Sequence, residues 1–319
     1  MKNKRNIMLF SALQILIFHL WIPITNSNLE LFVKQTAYMG VDIFFLLSGY
    51  SLGLKKIENY ARFVISRFNV VYVKFILFSL VFCLINNTGV IRFLKIISGV
   101  ELFEKGGGAF LWFVPGIMIF YICYPLFQSC DNKNRIVTII VAIARWGIVA
   151  YLFSWVKTYK HIFILWNRIP IFVIGHYWAS LESTKNPMTQ LLNKTLIRLA
   201  AGLGFTVVGG IIAYKYCFRM KLQIPFVDTF YLVAIPFCIG LVLIVGCIKE
   251  NPVSKTLGKI TLEMYGIQMI FGFDFANKIL LKTGNIVETN VLTVLFVVVA
   301  SAMIYYGCKH ISKLIFDIV

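Results

Sequence analysis

The chain has 319 residues, of which 59% are hydrophobic and only 14% charged. A soluble globular domain carries about 25% charged and about 45–50% apolar residues, so this composition excludes one, along with disorder and a disulfide scaffold. The net charge of +18 comes from 31 Lys and Arg against 13 Asp and Glu, with no basic run of five or more. That pattern argues against nucleic acid as a partner and fits the gathering of Lys and Arg in the cytoplasmic loops of a membrane protein.

Apolar runs of about 20 residues suffice to cross a bilayer as helices. They predict ten spans, at about 7–25, 37–54, 70–86, 109–128, 136–155, 162–181, 197–214, 225–247, 261–280 and 291–308. The expected fold is an all-α, polytopic transmembrane helical bundle, a single membrane domain over residues 1–319. It leaves no room for a separate soluble catalytic domain, so any chemistry belongs to the spans or their short connections. The first run follows Met1-Lys2-Asn3-Lys4-Arg5 without a small-x-small cleavage site after it, and reads as a retained span. With both termini cytoplasmic, the inner segments hold 17 Lys and Arg and the outer segments 10. This is the inside-positive bias of a multi-pass protein of the cell membrane.

Two connections carry more than a turn. Residues 55–69 are basic and amphipathic, fit for a separate helix lying on the inner leaflet. Residues 89–108 are also amphipathic and end in Gly106-Gly107-Gly108, which reads as a flexible joint. The seven cysteines lie in or beside apolar runs, with no CxxC and no Cys/His cluster. They read as small buried side chains, with neither a disulfide frame nor a metal site.

An ionisable group in mid-bilayer costs roughly 2.5–3.5 kcal/mol on insertion scales, so each one needs a reason. His19 stands twelve residues into the first run. That is about 18 Å from the inner edge of a core about 30 Å thick, in its outer half. Asp42 and Arg168 come out at a similar depth, near the outer ends of the second and sixth runs. A base, a carboxylate and a cation on one level make a candidate site, and for each the alternative is a buried packing partner or a headgroup contact. Arg145 lies mid-span and needs a partner or a water-filled cavity. His176 lies deeper in the sixth run. Glu263 and Gln268 flank Tyr265 in the inner half of the ninth, and Asp274 lies near its outer end. Lys74 and Lys278 can snorkel from span ends, while His161 and His310 fall at interfaces.

These residues sit in motifs that resemble a known family. Gly40-Val41-Asp42-Ile43-Phe44-Phe45-Leu46-Leu47-Ser48-Gly49-Tyr50 closely resembles the second-span signature of the membrane acyltransferase-3 family, whose hallmark is a His near the outer end of the preceding span, here His19. Leu111-Trp112-Phe113-Val114-Pro115 with Tyr121 and Pro125, Arg168-Ile169-Pro170-Ile171-Phe172 with Gly175, and Leu257-Gly258-Lys259-Ile260-Thr261-Leu262-Glu263-Met264-Tyr265 are similar to three further family segments, in the family's order.

The resemblance implies an integral-membrane O-acyltransferase, multi-pass in a bacterial cell membrane. It would move an acyl group, acetyl by preference, from cytoplasmic acyl-CoA to a hydroxyl of a surface or lipid-linked carbohydrate. Acetyl-CoA or another acyl-CoA would be the donor substrate, with no metal. The lipid bilayer and a second copy of the chain, as a homodimer, are the other partners that it admits. In that reading His19 is the general base, Asp42 orients it, and Arg168 stabilises negative charge on the acceptor side. Arg5, Arg62 and Arg67 would hold the coenzyme A phosphates. Trp112 and Tyr265 read as packing residues.

The sequence departs from the family pattern in three places, one of them the Arg-rich, Pro-containing loop into the third span, which is thinned to Arg62 and Arg67 and lacks its Pro around Tyr72. The Arg expected eleven positions before the His is Met8, and the nearest cation is Arg5, fourteen before. On a helix fourteen residues return to within about 40° of the starting face, so Arg5 can occupy nearly the same face one turn lower. The His that ends the family's ninth-span segment is Gln268. A non-catalytic member that transports or senses a small metabolite is the alternative reading.

Overall fold

The computed structural model describes residues 1–20, 28–54, 57–128, 141, 144–149, 151–152, 161–215 and 229–316, and among them there is no strand. In chain order the helices are α1 (Lys4–His19), α2 (Asn28–Ala37), α3 (Gly40–Gly53), α4 (Tyr60–Arg67), α5 (Val73–Ile85), α6 (Gly89–Ile97), α7 (Val100–Lys105) and α8 (Phe113–Gln128). They continue as α9 (Phe163–Trp166), α10 (Ile169–Ser183), α11 (Pro187–Leu191), α12 (Thr195–Lys215), α13 (Thr229–Val245), α14 (Pro252–Leu257), α15 (Thr261–Ile267), α16 (Phe273–Thr283) and α17 (Ile286–Phe316). Among the described residues, three stretches are long and apolar enough to cross a membrane, Tyr60–Ile85, Thr195–Ile212 and Ile286–Gly307. Gly40–Gly53, Phe113–Pro125 and Ile235–Val245 are shorter apolar helices. The protein is an all-α membrane protein. Most of the predicted span at 136–155, and the first residues of that at 225–247, lie outside the described residues.

The chain forms two compact units, one of Met1 with Val41–Cys247, the other of Lys2–Gly40 with Ile248–Val319. The first is organised by the crossing of α3 and α10. A Cβ added to Gly49 would lie 2.0 Å from the Phe172 carbonyl oxygen, one on Gly53 2.5 Å from that of His176, and one on Gly175 2.1 Å from that of Leu46. Gly49 and Gly53 form a GxxxG spacing, which lets two helix backbones touch where lipid offers no hydrophobic drive to hold them together. The rising residue numbers at these contacts show that the two helices run parallel. Their register places Asp42 level with Arg168, seven residues before Gly49 and Gly175 respectively. Phe45, Phe120 and Phe172 pack over the crossing with ring centroids 4.9 and 5.0 Å apart. At the far end the Trp178 indole N–H donates to Glu182 Oε1 at 3.0 Å, and the Tyr50 hydroxyl donates to Oε2.

Two connections differ from expectation. The stretch after Asn59 is not a separate surface helix, because α4 runs through a π-turn at Phe68–Tyr72 into α5 as one 26-residue helix. No Gly or Pro interrupts residues 60–85, so nothing in the sequence stops it. The Asn59 side chain caps it by accepting the Arg62 N–H at 2.9 Å. Gly106–Gly108 form a 3₁₀ turn packed so closely that a Cβ on Gly106 would meet the His161 carbonyl oxygen at 2.7 Å. Beside this corner Glu101, 2% exposed, accepts from Arg92 at 3.2 Å and from Lys105 at 2.5 Å, which fixes α6 to α7.

In the second unit α1 runs parallel to the segment from α14 to α16. A Cβ on Gly258 would lie 3.1 Å from Arg5 Cα, and the rings of His19 and Phe273 stand 5.5 Å apart. The Asn6 side-chain amide donates to the Ile248 carbonyl at 2.7 Å. A π-turn at Gln268–Gly272 joins α15 to α16, Gly284 ends α16 at φ +62°, and α17 returns antiparallel with Phe275 and Phe296 stacked at 4.3 Å. The hydroxyls of Thr289, Thr293 and Ser301 on α17 are satisfied by carbonyls four residues back, at 2.6–2.8 Å.

Gly49→Leu and Gly175→Leu would each drive a side chain into facing backbone. Each is expected to cost at least about 3 kcal/mol, the upper end of overpacking, read as a fall in melting temperature of the detergent-held protein. Gly204→Ala meets nothing within 4 Å and should leave the melting temperature unchanged or slightly raised.

Candidate functional site

In the first unit Asp42 occupies the first turn of α3, where the positive end of the helix dipole favours a carboxylate. Arg168 precedes α10, with Pro170 in that helix's first turn, and is fully buried at 0% exposure. Its Nε lies 3.4 Å from Asp42 Oδ1, its Nη1 donates to the Ile164 carbonyl at 2.5 Å, and its guanidinium sits 5.0 Å from the centre of the Trp112 ring. The cation is thus held on three sides by a carboxylate, a carbonyl and an aromatic face. A buried charge is tolerated only with such partners. Trp112, read from the sequence as packing, is one of them, and its motif gave no signal that distinguishes a ring face offered to a cation from simple packing.

In the second unit His19 ends α1, half-buried, with its ring against Phe18 and Phe273 at 5.1 and 5.5 Å. Its Nδ1 stands 2.8 Å from the Ile15 carbonyl oxygen. A carbonyl only accepts, so Nδ1 carries the proton, and in the neutral ring Nε2 carries the lone pair. The group found at Nδ1 is therefore a main-chain carbonyl of the same helix, whereas the partner found for Asp42 is Arg168, within the first unit.

The three arginines expected on the donor have different settings. Arg5 lies inside α1, so the helix does extend to it. Its Nη1 donates to the Gly258 carbonyl at 3.3 Å and its backbone N–H to Glu250 Oε1 at 2.8 Å. Arg62 is exposed on α4. Arg67, five residues on, lies 5.4 and 5.6 Å from the ring centres of Phe63 and Tyr121. Of the remaining ionisable groups, Arg145 is exposed, Glu263 is buried, and His176 is buried with Nδ1 3.1 Å from the Tyr124 hydroxyl. The Tyr124–His176 contact was missed in the sequence because 52 residues separate the partners.

Buried charged and titratable side chains among apolar helices make these positions functional-site candidates in a membrane protein. The family comparison agrees: the model of the acyltransferase-3 family, described as an acyltransferase domain, matches residues 9–307, so the chain belongs to that family and is a membrane acyltransferase. No curated protein and no solved structure matches the chain.

The Asp42–Arg168 pair can be weighed by a double-mutant cycle. Arg168→Met or Asp42→Asn alone should cost about 3–5 kcal/mol of stability by stranding the other charge, and the two together much less than the sum. Unfolding of the purified protein by denaturant measures all four corners of the cycle.

Proposed function

We propose that the protein is an O-acyltransferase that takes an acyl group, acetyl by preference, from cytoplasmic acyl-CoA and delivers it to a hydroxyl of an exported or surface glycan at the cell membrane. The observation that carries this reading is the hydrogen bond from His19 Nδ1 to the Ile15 carbonyl, which leaves Nε2 as a base on a half-buried ring. Membership of the acyltransferase-3 family supplies the reaction class.

The chemistry balances simply. Nε2 takes the proton of the acceptor hydroxyl as its oxygen attacks the thioester carbonyl. The carbon–sulfur bond breaks, an ester forms, and the proton passes to the departing thiolate, which leaves as coenzyme A. Neutral imidazole at physiological pH suits both halves of that exchange. Arg168 supplies positive charge for the acceptor or the developing oxyanion, and Asp42 keeps that cation from being buried without a counter-charge. Arg5, Arg62 and Arg67 hold the phosphates of the donor, Arg5 in place of the cation absent at Met8.

His19→Ala is expected to lower ester formation from acetyl-CoA by about 10²–10⁴-fold while leaving the affinity for coenzyme A unchanged. The assay is thioester consumption by the purified protein in the presence of a hydroxyl acceptor. Transfer at the wild-type rate by this variant rejects His19 as the base. Wild-type protein that moves a solute across vesicles without consuming thioester rejects the enzyme reading altogether.

A further inference from the structure

Helix α6 folds back along the span from which it emerges. The Arg92 guanidinium lies 5.1 Å from the centre of the Phe82 ring, and the Tyr72 hydroxyl donates to the Ile97 carbonyl at 2.8 Å. Later residues of α6 thus meet earlier residues of the span, so the two run antiparallel. Polar residues bound the apolar stretch of that span. Arg62 and Arg67 stand at its start, and Asn86 and Asn87, both exposed, follow its end. The 18 residues between them, 68–85, hold a single charge, Lys74. Such a stretch rises about 27 Å, close to a hydrocarbon core of about 30 Å. The turn at residues 86–88 therefore stands at the membrane surface. From it the nine residues of α6 lead about 14 Å back toward the bilayer centre.

Three features suit α6 to that depth. First, one face is apolar and open. Val90, Ile91 and Leu94 fall within about 100° of the helix circumference and are 72%, 76% and 53% exposed, while Ile96 on the other side is buried. The span beside it presents the same kind of surface through Leu77, Leu80, Val81 and Leu84. Second, both cations of α6 are neutralised in place, Arg92 by Glu101 at 3.2 Å and Lys95 by Glu104 at 2.7 Å. Such pairs add little in water, but charged side chains at membrane depth pair with one another. Third, the last four carbonyls of α6 all have partners. Leu94 accepts from the Ser98 N–H at 2.9 Å, Lys95 from the Ser98 hydroxyl at 3.2 Å, Ile96 from the Gly99 N–H at 3.0 Å and Ile97 from Tyr72. At a helix end in water solvent serves these groups, whereas in hydrocarbon the protein has to.

We propose that α6 is a re-entrant helix, immersed in the bilayer beside the span Tyr60–Ile85, with the acyl chains of membrane lipids covering Val90, Ile91 and Leu94. The connection between the span and α8 is then a lipid-contacting element rather than a loop in water. This placement does not depend on the acyl donor or acceptor.

The test is photo-cross-linking of the full chain in phosphatidylcholine nanodiscs, with p-benzoylphenylalanine replacing Ile91 or Leu94, one at a time. The same replacement at Leu84, on the exposed face of the span, is the reference. Irradiation should add the mass of one lipid at position 91 and at position 94, in a yield like that at position 84, and fragmentation should place the new bond on an acyl chain. Absence of lipid adducts at positions 91 and 94, while position 84 gives one, marks a face in water and overturns the proposal. Bonds confined to the headgroup mark a helix lying on the surface, and a product joining two protein chains marks an interface between copies. Either of these overturns it as well.

Discussion

The backbone contact between α3 and α10 is the constraint on which the first unit depends. Carbonyl oxygens lie 2.0–2.1 Å from where β-carbons of Gly49 and Gly175 would be, so the helices can meet only at that register and only without those side chains. The register brings an arginine and an aspartate seven residues away into contact. A guanidinium at 0% exposure is affordable only because the glycines deliver its counter-charge. Packing and electrostatics are therefore one design in this unit, since a shift of one helix by a single turn would strand Arg168.

The second unit treats its polar groups differently. The hydroxyls of Thr289, Thr293 and Ser301 are tied back to carbonyls four residues earlier, and the proton of His19 Nδ1 is absorbed by Ile15, one turn earlier. Among the described residues of this unit, the side-chain oxygens of Asn6, Gln14 and Gln268 are buried without a hydrogen-bond partner.

Much of this was legible in the sequence. The all-helical membrane fold follows from composition and apolar run length, and the family from motifs at His19, Gly40–Tyr50 and Arg168–Gly175. The inclusion of Arg5 in α1 agrees with the face expected from its spacing to His19. Other features needed three dimensions. Apolar periodicity cannot show that α4 and α5 are one helix, because a basic amphipathic stretch and the first turns of a long span have the same pattern. The glycine run before Ala109 read as a joint because the sequence does not reveal that another backbone presses on Gly106. Depth alone put Asp42 beside His19 as readily as beside Arg168, and only the glycine register within the first unit shows what Asp42 touches. Gln14 escaped notice because a search for costly groups looks for charge, and a neutral amide draws attention only once its oxygen is found buried without a partner.

The central claim is that one ring nitrogen is kept unprotonated to accept a hydroxyl proton. Nitrogen NMR of the ¹⁵N-histidine-labelled protein near neutral pH, with the His19 signals assigned by their loss in a His19 variant, reads that state directly. The account predicts a proton on Nδ1 and a bare, pyridine-like Nε2. A proton found on Nε2, with Nδ1 bare, would contradict it.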